Sequence, residues 1–193
     1  SALKKANQVI VNDKKNELVI DSDQIVYNKK KGIILFTGNT FAKIKNKYQI
    51  ESTEIIHDRK RMEVYSSKKT IMEDNLGNIF HLESFKLNIN TNMLKAKKMS
   101  IYDNQKNKYY IDNALIDLEN NKIAGNNISI DFDNPTFGDN QNEPRLKGRS
   151  VVSNLEETTV YKGIFTTCKK NDEKCPAWSI KAGEVTHKKK EKI

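Results

Sequence analysis

A short pattern of apolar and small residues recurs along the chain and limits what it can fold into. Each copy has two apolar residues separated by one residue, a small residue two positions later, and another apolar residue three positions after that. The clearest copies are LVIDSDQIVYN, YQIESTEIIHD, FHLESFKLNIN and WSIKAGEVTHK, which begin at Leu18, Tyr48, Phe80 and Trp178. Looser copies surround Ala96, Asn113, Gly125 and Gly148. Such repetition predicts an array of similar structural units.

Within each copy the spacing predicts a bent strand. Alternation before the small residue is typical of a half-buried strand. The step from Ile50 to Ile55 is odd, so a regular strand would place these side chains on opposite faces. A bulge or sharp bend at residues 52–54 returns them to one face, and a small residue suits such a corner. The small residues in the clearest copies are Ser22, Ser52, Ser84 and Ala182.

Polar turn sequences separate the copies, at residues 28–32, 74–78, 103–107 and 119–121. The chain has no convincing helical period and no apolar run long enough to cross a bilayer. Many short strands with polar turns predict an all-β fold, as a sandwich, barrel or jelly roll. The longest irregular segment, residues 134–145, is expected to be an exposed loop or an excursion between sheets.

The formal net charge of +9 suggests an anionic partner such as nucleic acid, phosphorylated lipid or acidic protein. Codon bias in an AT-rich genome also produces abundant Lys, Asn and Ile, and the lysines are spread along the chain. One hypothesis is a basic all-β module that binds polysaccharide or nucleic acid on its surface. Nucleic-acid binding favours aromatics interleaved with Lys or Arg on an exposed face, whereas Tyr48 and Phe80 occupy inward positions.

The residues give little sign of catalysis. His57, His81 and His187 each lie within a repeat unit, and no G-x-S-x-G surrounds the corner serines. We therefore expect no enzyme activity, no cofactor and no metal site. The cysteines Cys168 and Cys175 are separated by six residues and have no nearby histidine, which argues against zinc. A disulfide across the loop and two free thiols are the alternatives that the residues leave open.

The repeated unit, together with YNKKKGIILFTGN from Tyr27 to Asn39, resembles the OstA-like domains of lipopolysaccharide-transport proteins. The ending YKGIFTTC, followed by CPAWSIKA, is more specifically similar to the periplasmic N-terminal domain of the LptD family of outer-membrane lipopolysaccharide-assembly proteins. The resemblance implies a single OstA-like β-jelly roll over residues 1–193, at the periplasmic face of the outer membrane of a Gram-negative bacterium. It also implies a cysteine-containing exit loop at residues 166–178 and a C-terminal β-barrel beyond residue 193.

The function that the resemblance implies is lipopolysaccharide transport. The roll would receive lipopolysaccharide from an LptA-like periplasmic bridge protein by edge-strand addition and guide its acyl chains toward the barrel and the plug lipoprotein LptE. The docking strand would be QVIVND, Gln8–Asp13, or its neighbour LVIDSD. The lipid-binding interior would consist of the apolar template positions Ile20, Ile25, Ile50, Ile55, Leu82, Leu87, Ile111, Ile116, Ile123, Ile128, Ile180 and Val185.

Three further expectations concern side chains around this route. Lys43, Lys45 and Lys47 at the rim would meet lipid phosphates, unless they are simply solvated or protect an edge. Cys168 matches the family cysteine that pairs with a thiol in the barrel. Trp178 is a core or rim aromatic that would also mark the exit from the roll.

Overall fold

All secondary structure in the described part of the chain is β, which confirms the all-β prediction. The computed structural model describes residues 8–13, 16–45, 47–133, 143–167 and 179–189. The chain divides into two compact units, Ser1–Leu94 and Lys95–Ile193. A search of the described residues finds no helix that is long and apolar enough to span a membrane. A single domain over residues 1–193 remains a prediction.

Unit 1 is built from antiparallel strands. They are β1 (Gln8–Asp13), β2 (Asn16–Asp21), β3 (Gln24–Asn28), β4 (Ile33–Ile44), β5 (Tyr48–Asp58), β6 (Glu63–Ser66), β7 (Thr70–Asp74), β8 (Ile79–Leu82) and β9 (Ser84–Asn88). The order is β1-β2-β4-β5-β6-β9, with β3 paired to β4, β7 to β5, and β8 to β7. Long strands such as β4 and β5 therefore each pair with two short strands along one edge.

Asn and Asp side chains set the positions at which several strands end. The Asp58 Oδ1 atom accepts hydrogen bonds from the backbone N–H groups of Lys60 and Arg61, both at 3.0 Å. Such a side chain replaces a backbone acceptor and stabilises a tight turn. The same arrangement closes the turns that follow Asn28, Asp74, Asn88, Asp103, Asp117 and Asn154.

The predicted corner of unit 1 is present, but the extra residue of its β-bulge lies in β4 and not in β5. Thr37 pairs with Glu54 and Thr40 pairs with Ser52, so β4 has one residue more than β5 between these pairs. Gly38 occupies the bulge with a φ of +92°, a conformation that glycine adopts without strain. The bulge therefore forms where glycine is available, and β5 bends opposite it.

Serine hydroxyls satisfy backbone groups at these corners. Ser22 Oγ donates a hydrogen bond to the Gln24 carbonyl oxygen at 2.9 Å, and Ser52 Oγ donates to that of Glu54 at 3.1 Å. Carbonyls at a bend lose their ladder partners, and a buried unpaired carbonyl is costly. Serine at the small position is thus explained by both its size and its hydroxyl.

Unit 2 contains β10 (Met93–Tyr102, mostly within the unit), β11 (Lys108–Asp117), β12 (Lys122–Asp131), β13 (Arg145–Ser153), β14 (Glu157–Thr166) and β15 (Ile180–Lys188). The strands lie side by side in chain order. The pairs from β11 to β15 are antiparallel. This arrangement is the simplest way to stack successive copies of a bent strand.

The corner of unit 2 is a bend without an extra residue. Ile111 and Ala114 are both buried, and residues 112–113 between them are exposed, so the inward face changes parity at that point. Ile111 pairs with Ile128 and Ala114 pairs with Gly125, which keeps the register unbroken across the bend. Both strands therefore turn at the same place, as the odd template step predicts.

Candidate functional site

The candidate site is the inward apolar face formed by the template positions. Eight of the twelve predicted interior residues are buried: Ile20, Ile50, Ile55, Leu82, Leu87, Ile111, Ile116 and Ile128. Ile25, Ile123 and Val185 are half-buried. Ile180 is 59% exposed. Burial shows where these side chains lie, and their contact with lipid stays a prediction.

In unit 1 the inward residues form a row across the paired strands. Strand pairing links Ile20 to Ala42, Ala42 to Ile50, Ile50 to Met72, and Met72 to Phe80. Every member of this row is at most 4% exposed. The predicted interior of unit 1 is therefore an apolar core at these positions.

In unit 2 a corresponding row becomes more exposed toward its last strand. The row consists of the paired residues Tyr109, Ile130, Leu146, Phe165 and Ile180. The first three are buried, Phe165 is half-buried, and Ile180 is exposed. The inward face is thus covered from β11 to β13 and accessible along β15.

A second row on the other side of the corner behaves in the same way. It contains the paired residues Ala114, Gly125, Val151, Val160 and Val185. Val151 and Val160 are buried, whereas Val185 in β15 is half-buried. Together, Ile180 and Val185 offer apolar surface on the inward side of an outer strand. Such surface can bind hydrocarbon chains or the apolar face of another strand.

β1 is an end strand in the pairing order of unit 1, and β15 is an end strand in that of unit 2. In the described part of the chain β1 pairs with β2, and β15 pairs with β14. A strand with one paired edge presents backbone N–H and C=O groups on the other edge. β1 therefore has one edge that pairs with no other described strand, and its role as a docking strand stays a prediction.

Two of the three predicted rim lysines lie at a surface pocket of mixed charge, and Lys45 does not line it. Lys43 and Lys47 line a pocket of about 470 Å³ together with Glu73 and Asp74. The Lys43 Nζ atom also lies 5.6 Å from the centroid of the Phe41 ring. The neighbouring carboxylates reduce the attraction of this pocket for an anion, so the structure offers little support for phosphate binding here.

His57 is buried and has no hydrogen-bond partner for either ring nitrogen among the described residues. Its pKa is lowered below 6.5, chiefly by burial and secondly by the positive charge of Arg59, while Asp58 opposes the shift. The imidazole is therefore neutral in the folded chain at neutral pH. It has no orienting partner of the kind that a catalytic histidine requires.

A hydrogen-bond network in unit 2 centres on Asp103. Its Oδ2 atom accepts hydrogen bonds from the Tyr109 hydroxyl at 3.0 Å and from Asn107 Nδ2 at 2.9 Å. Burial raises the pKa of the Tyr109 phenol, and the Asp103 charge raises it further. The phenol thus stays protonated and acts as a structural donor.

Cys168, Cys175 and Trp178 lie outside the described residues, so the disulfide and exit predictions are untested. Among the residues that are described, no group of three or more His, Cys, Asp or Glu is placed to hold a metal ion.

Two features of the structure escaped the sequence analysis. Gly163 joins Gly125 and Gly148 as an inward glycine beside the corner, where a Cβ would lie 3.0 Å from Val185 Cγ2. Basic turns at residues 29–31 and 59–61 lie side by side, because β4 pairs with both β3 and β5. In the sequence, the first feature could have been recognised from a glycine beside the template step. The second could have been recognised from two runs of three basic residues in turns.

No protein-family model matches the chain, and no curated protein sequence matches it. Among solved structures the chain is similar to LptH of Pseudomonas aeruginosa, described as the LptA-homologous periplasmic component of the conserved lipopolysaccharide transport device. The sequence identity is 10%, and the TM-score is 0.48. The similarity covers 56% of this chain and 81% of LptH.

Proposed function

We propose that the chain is a periplasmic lipopolysaccharide-transport protein whose inward apolar face binds the acyl chains. The observation that carries the proposal is the accessible inward face at β15, where Ile180 and Val185 continue rows that are buried in the preceding strands. The repeat and the CPAWSIKA ending, which resemble OstA-like domains, supply the substrate class.

The energetics favour a hydrocarbon ligand at this face. Removing one methylene group from water contributes about 0.8 kcal/mol, so several methylenes against β15 would offset the cost of ordering a chain. The exposed residues Ile180 and Ile164 lie on opposite faces of the β14–β15 pair, because Ile180 pairs with Phe165 and Ile164 pairs with Lys181. Only Ile180 therefore continues the inward row.

The finer proposal is that the chain is the N-terminal domain of an LptD-type protein. In that role it would accept lipopolysaccharide from an LptA-like bridge protein at the β1 edge and pass it toward a C-terminal barrel and its LptE plug. The residues that resemble that family most closely are those at 161–182, including Cys168 and Trp178. A covalent tie through Cys168 belongs to the same proposal.

Photocrosslinking tests the coarser proposal. A photoreactive residue at Ile180 is compared with one at Lys181, since both positions are exposed in the same strand but face opposite sides. After irradiation with purified lipopolysaccharide, we expect adducts at position 180 and few at position 181. Equal labelling at the two positions of a folded protein would contradict an inward lipid face.

One observation favours the alternative of a surface-binding module. Lys108 Nζ lies 4.8 Å from the Tyr102 ring centroid and 4.9 Å from that of Tyr110, and both tyrosine residues are 37% exposed. Hydrogen bonds to these tyrosines raise the pKa of Lys108 to about 12. Exposed aromatics beside a cation are a stacking surface for bases or sugars. Loss of oligonucleotide or polysaccharide binding in Tyr110→Ala, measured by fluorescence anisotropy, would support this alternative.

A further inference from the structure

Two basic turns of unit 1 lie next to each other and form one cationic surface. The paired basic turns are Lys29-Lys30-Lys31, between β3 and β4, and Arg59-Lys60-Arg61, between β5 and β6. The backbone N–H of Arg59 donates a hydrogen bond to the Gly32 carbonyl oxygen at 3.0 Å. Lys60 Nζ donates to the Lys30 carbonyl oxygen at 3.2 Å. Each turn therefore holds the other in place.

The paired basic turns border a pocket of about 560 Å³. Its lining residues are Lys30, Lys31, Ile33, Asp58, Lys60, Arg61 and Tyr65. A Cβ at Gly32, which has a φ of +72°, would lie 3.1 Å from Lys60 Cγ. Glycine thus lets the Lys60 side chain cross close to the first turn. The pocket is an open surface depression whose basic side chains come from two hydrogen-bonded turns.

The charge of this pocket is strongly positive. Its one carboxylate, Asp58, is 8% exposed and already occupied. The Asp58 Oδ1 atom accepts hydrogen bonds from the backbone N–H groups of Lys60 and Arg61, and Oδ2 lies 3.8 Å from Arg61 Nε. Asp58 therefore stabilises the second turn and leaves most of the surrounding positive charge without a neutralising partner.

Several cationic groups remain available to a ligand. No hydrogen bond or ion pair to the Nζ atoms of Lys30 and Lys31 occurs within the described residues. The ion pair between the Arg61 side chain and Asp58 uses Nε and leaves the terminal amino groups of the guanidinium available. Arg59 is held differently, because it donates to the Tyr27 hydroxyl at 3.0 Å.

We propose that the paired basic turns are a binding site for a phosphate monoester group. A phosphate presents three oxygens, which can accept hydrogen bonds from Lys30, Lys31 and Arg61 at once, and arginine suits such bidentate contacts. Lys30, Lys31 and Arg61 line one pocket contributed by two turns, which fits a single dianion better than an extended polyanion. Because the ligand is defined by its charge, the site does not depend on lipid transport along the inward face.

The test measures phosphate binding by the whole chain in solution. Amide chemical shifts of the 15N-labelled protein are followed during titration with inorganic phosphate at low ionic strength. The test variant is Lys30→Gln/Lys31→Gln/Arg61→Gln. The control variant, Lys68→Gln/Lys69→Gln/Lys97→Gln, removes the same three charges from exposed positions elsewhere. Circular dichroism verifies that both variants are folded.

We expect saturable shifts at residues 29–32 and 59–62 in the unaltered chain and in the control variant. Phosphate should bind to the test variant more weakly by about tenfold or more. The loss of one hydrogen bond to a charged group is enough to weaken binding about tenfold. Equal weakening in both variants would overturn the proposal, because net charge alone would then explain binding. The proposal would also be overturned if phosphate caused no saturable shifts in these turns and the chain did not bind to phosphatidic acid vesicles in the measurement described next.

A vesicle measurement distinguishes the sources of the phosphate. Phosphatidylcholine vesicles with and without phosphatidic acid, which carries a phosphate monoester, are tested for cosedimentation with the chain. A response to both phosphatidic acid and inorganic phosphate supports a general phosphate site. A response to phosphatidic acid alone, lost in the test variant, supports a lipid headgroup site.

Discussion

Gly148 lies at the corner of β13, and its replacement by alanine should destabilise unit 2. An added Cβ would overlap Val160 Cγ1 and lie 3.1 Å from the backbone carbonyl oxygen of Tyr161. Val160 is 0% exposed, so its side chain has no solvent-filled space to enter. The carbonyl belongs to the neighbouring strand and cannot move without disturbing the β13–β14 pairing.

The expected cost follows from overpacking. Inserting a methyl group into a closely packed core costs about 1–3 kcal/mol, and the backbone contact favours the upper half of that range. Gly183 provides the matched control, since it lies in the next corner strand but one and has no atom within 4 Å of an added Cβ. Gly183→Ala should change the free energy of unfolding by less than about 1 kcal/mol. The change should be stabilising, because alanine gives the unfolded chain fewer backbone conformations than glycine does.

Urea unfolding monitored by circular dichroism measures both variants. Gly148→Ala should lower the midpoint at an unchanged slope, whereas Gly183→Ala should not. In the double variant Gly148→Ala/Val160→Ala, the removed valine methyls make room for the new methyl group. Its destabilisation should be smaller than the sum of the two single effects. Equal midpoints for Gly148→Ala and Gly183→Ala would refute the close packing inferred at this corner.

Three further changes test other parts of the fold. The pKa of His57 is lowered in the folded chain, so the fold is most stable above pH 6.5, where the imidazole is neutral, and loses stability as the pH falls below 6.5. His57→Leu should flatten this decline, measured as urea midpoints from pH 7 to 5. Hydrogen bonds, first that of the Asn120 side chain, lower the pKa of Asp117 below 3.8, so Asp117→Ala should destabilise the chain at neutral pH and lessen its acid sensitivity below about pH 4. Ser52→Ala removes the hydroxyl that accepts from Thr70 Oγ1 and donates to the Glu54 carbonyl, and thermal unfolding should show a loss of about 1–3 kcal/mol.

The template predicted much of the fold because strand periodicity and corner geometry are local properties. Ile111 and Ile116 are buried on both sides of a bend where the odd step predicted one. Of the two alternatives predicted at residues 52–54, β5 has the bend. The β-bulge lies in the partner strand because it depends on Gly38, which the pattern within β5 does not contain. The exposure of Ile180 also escaped the pattern, because a strand's burial depends on whether another strand covers it.

The basic turns show the same limit from another direction. Their two runs of charge are separated by 27 residues of sequence between Lys31 and Arg59, and each by itself is an ordinary polar turn. Only the pairing of Ile33 with Asp58 places them side by side. A charge count along the chain therefore detects the excess of lysine but not the pocket in which the charges meet.

Packing at the corner of unit 2 follows a rule of one large and one small inward residue per strand. In β11, Ile111 precedes the bend and Ala114 follows it. In β12, Gly125 precedes the bend and Ile128 follows it, so that Ile111 pairs with Ile128 and Ala114 with Gly125. From β13 onward the large and small residues change sides of the bend. Glycines such as Gly148 occupy the row of the isoleucines, and valines such as Val160 occupy the row of Ala114 and Gly125. Each glycine lies against a large side chain of an adjacent strand.

β15 keeps this rule but pairs with β14 alone among the described strands. β15 supplies Ala182 and Val185, paired with Gly163 and Val160, yet both of these inward residues are only half-buried. In the preceding strands the equivalent valines are buried because a strand on each side covers them. A bent strand added beside β15 would extend the same packing, and an acyl chain along it would cover the same apolar surface. Strand addition and lipid binding therefore draw on one feature, an inward face that the described strands leave partly open.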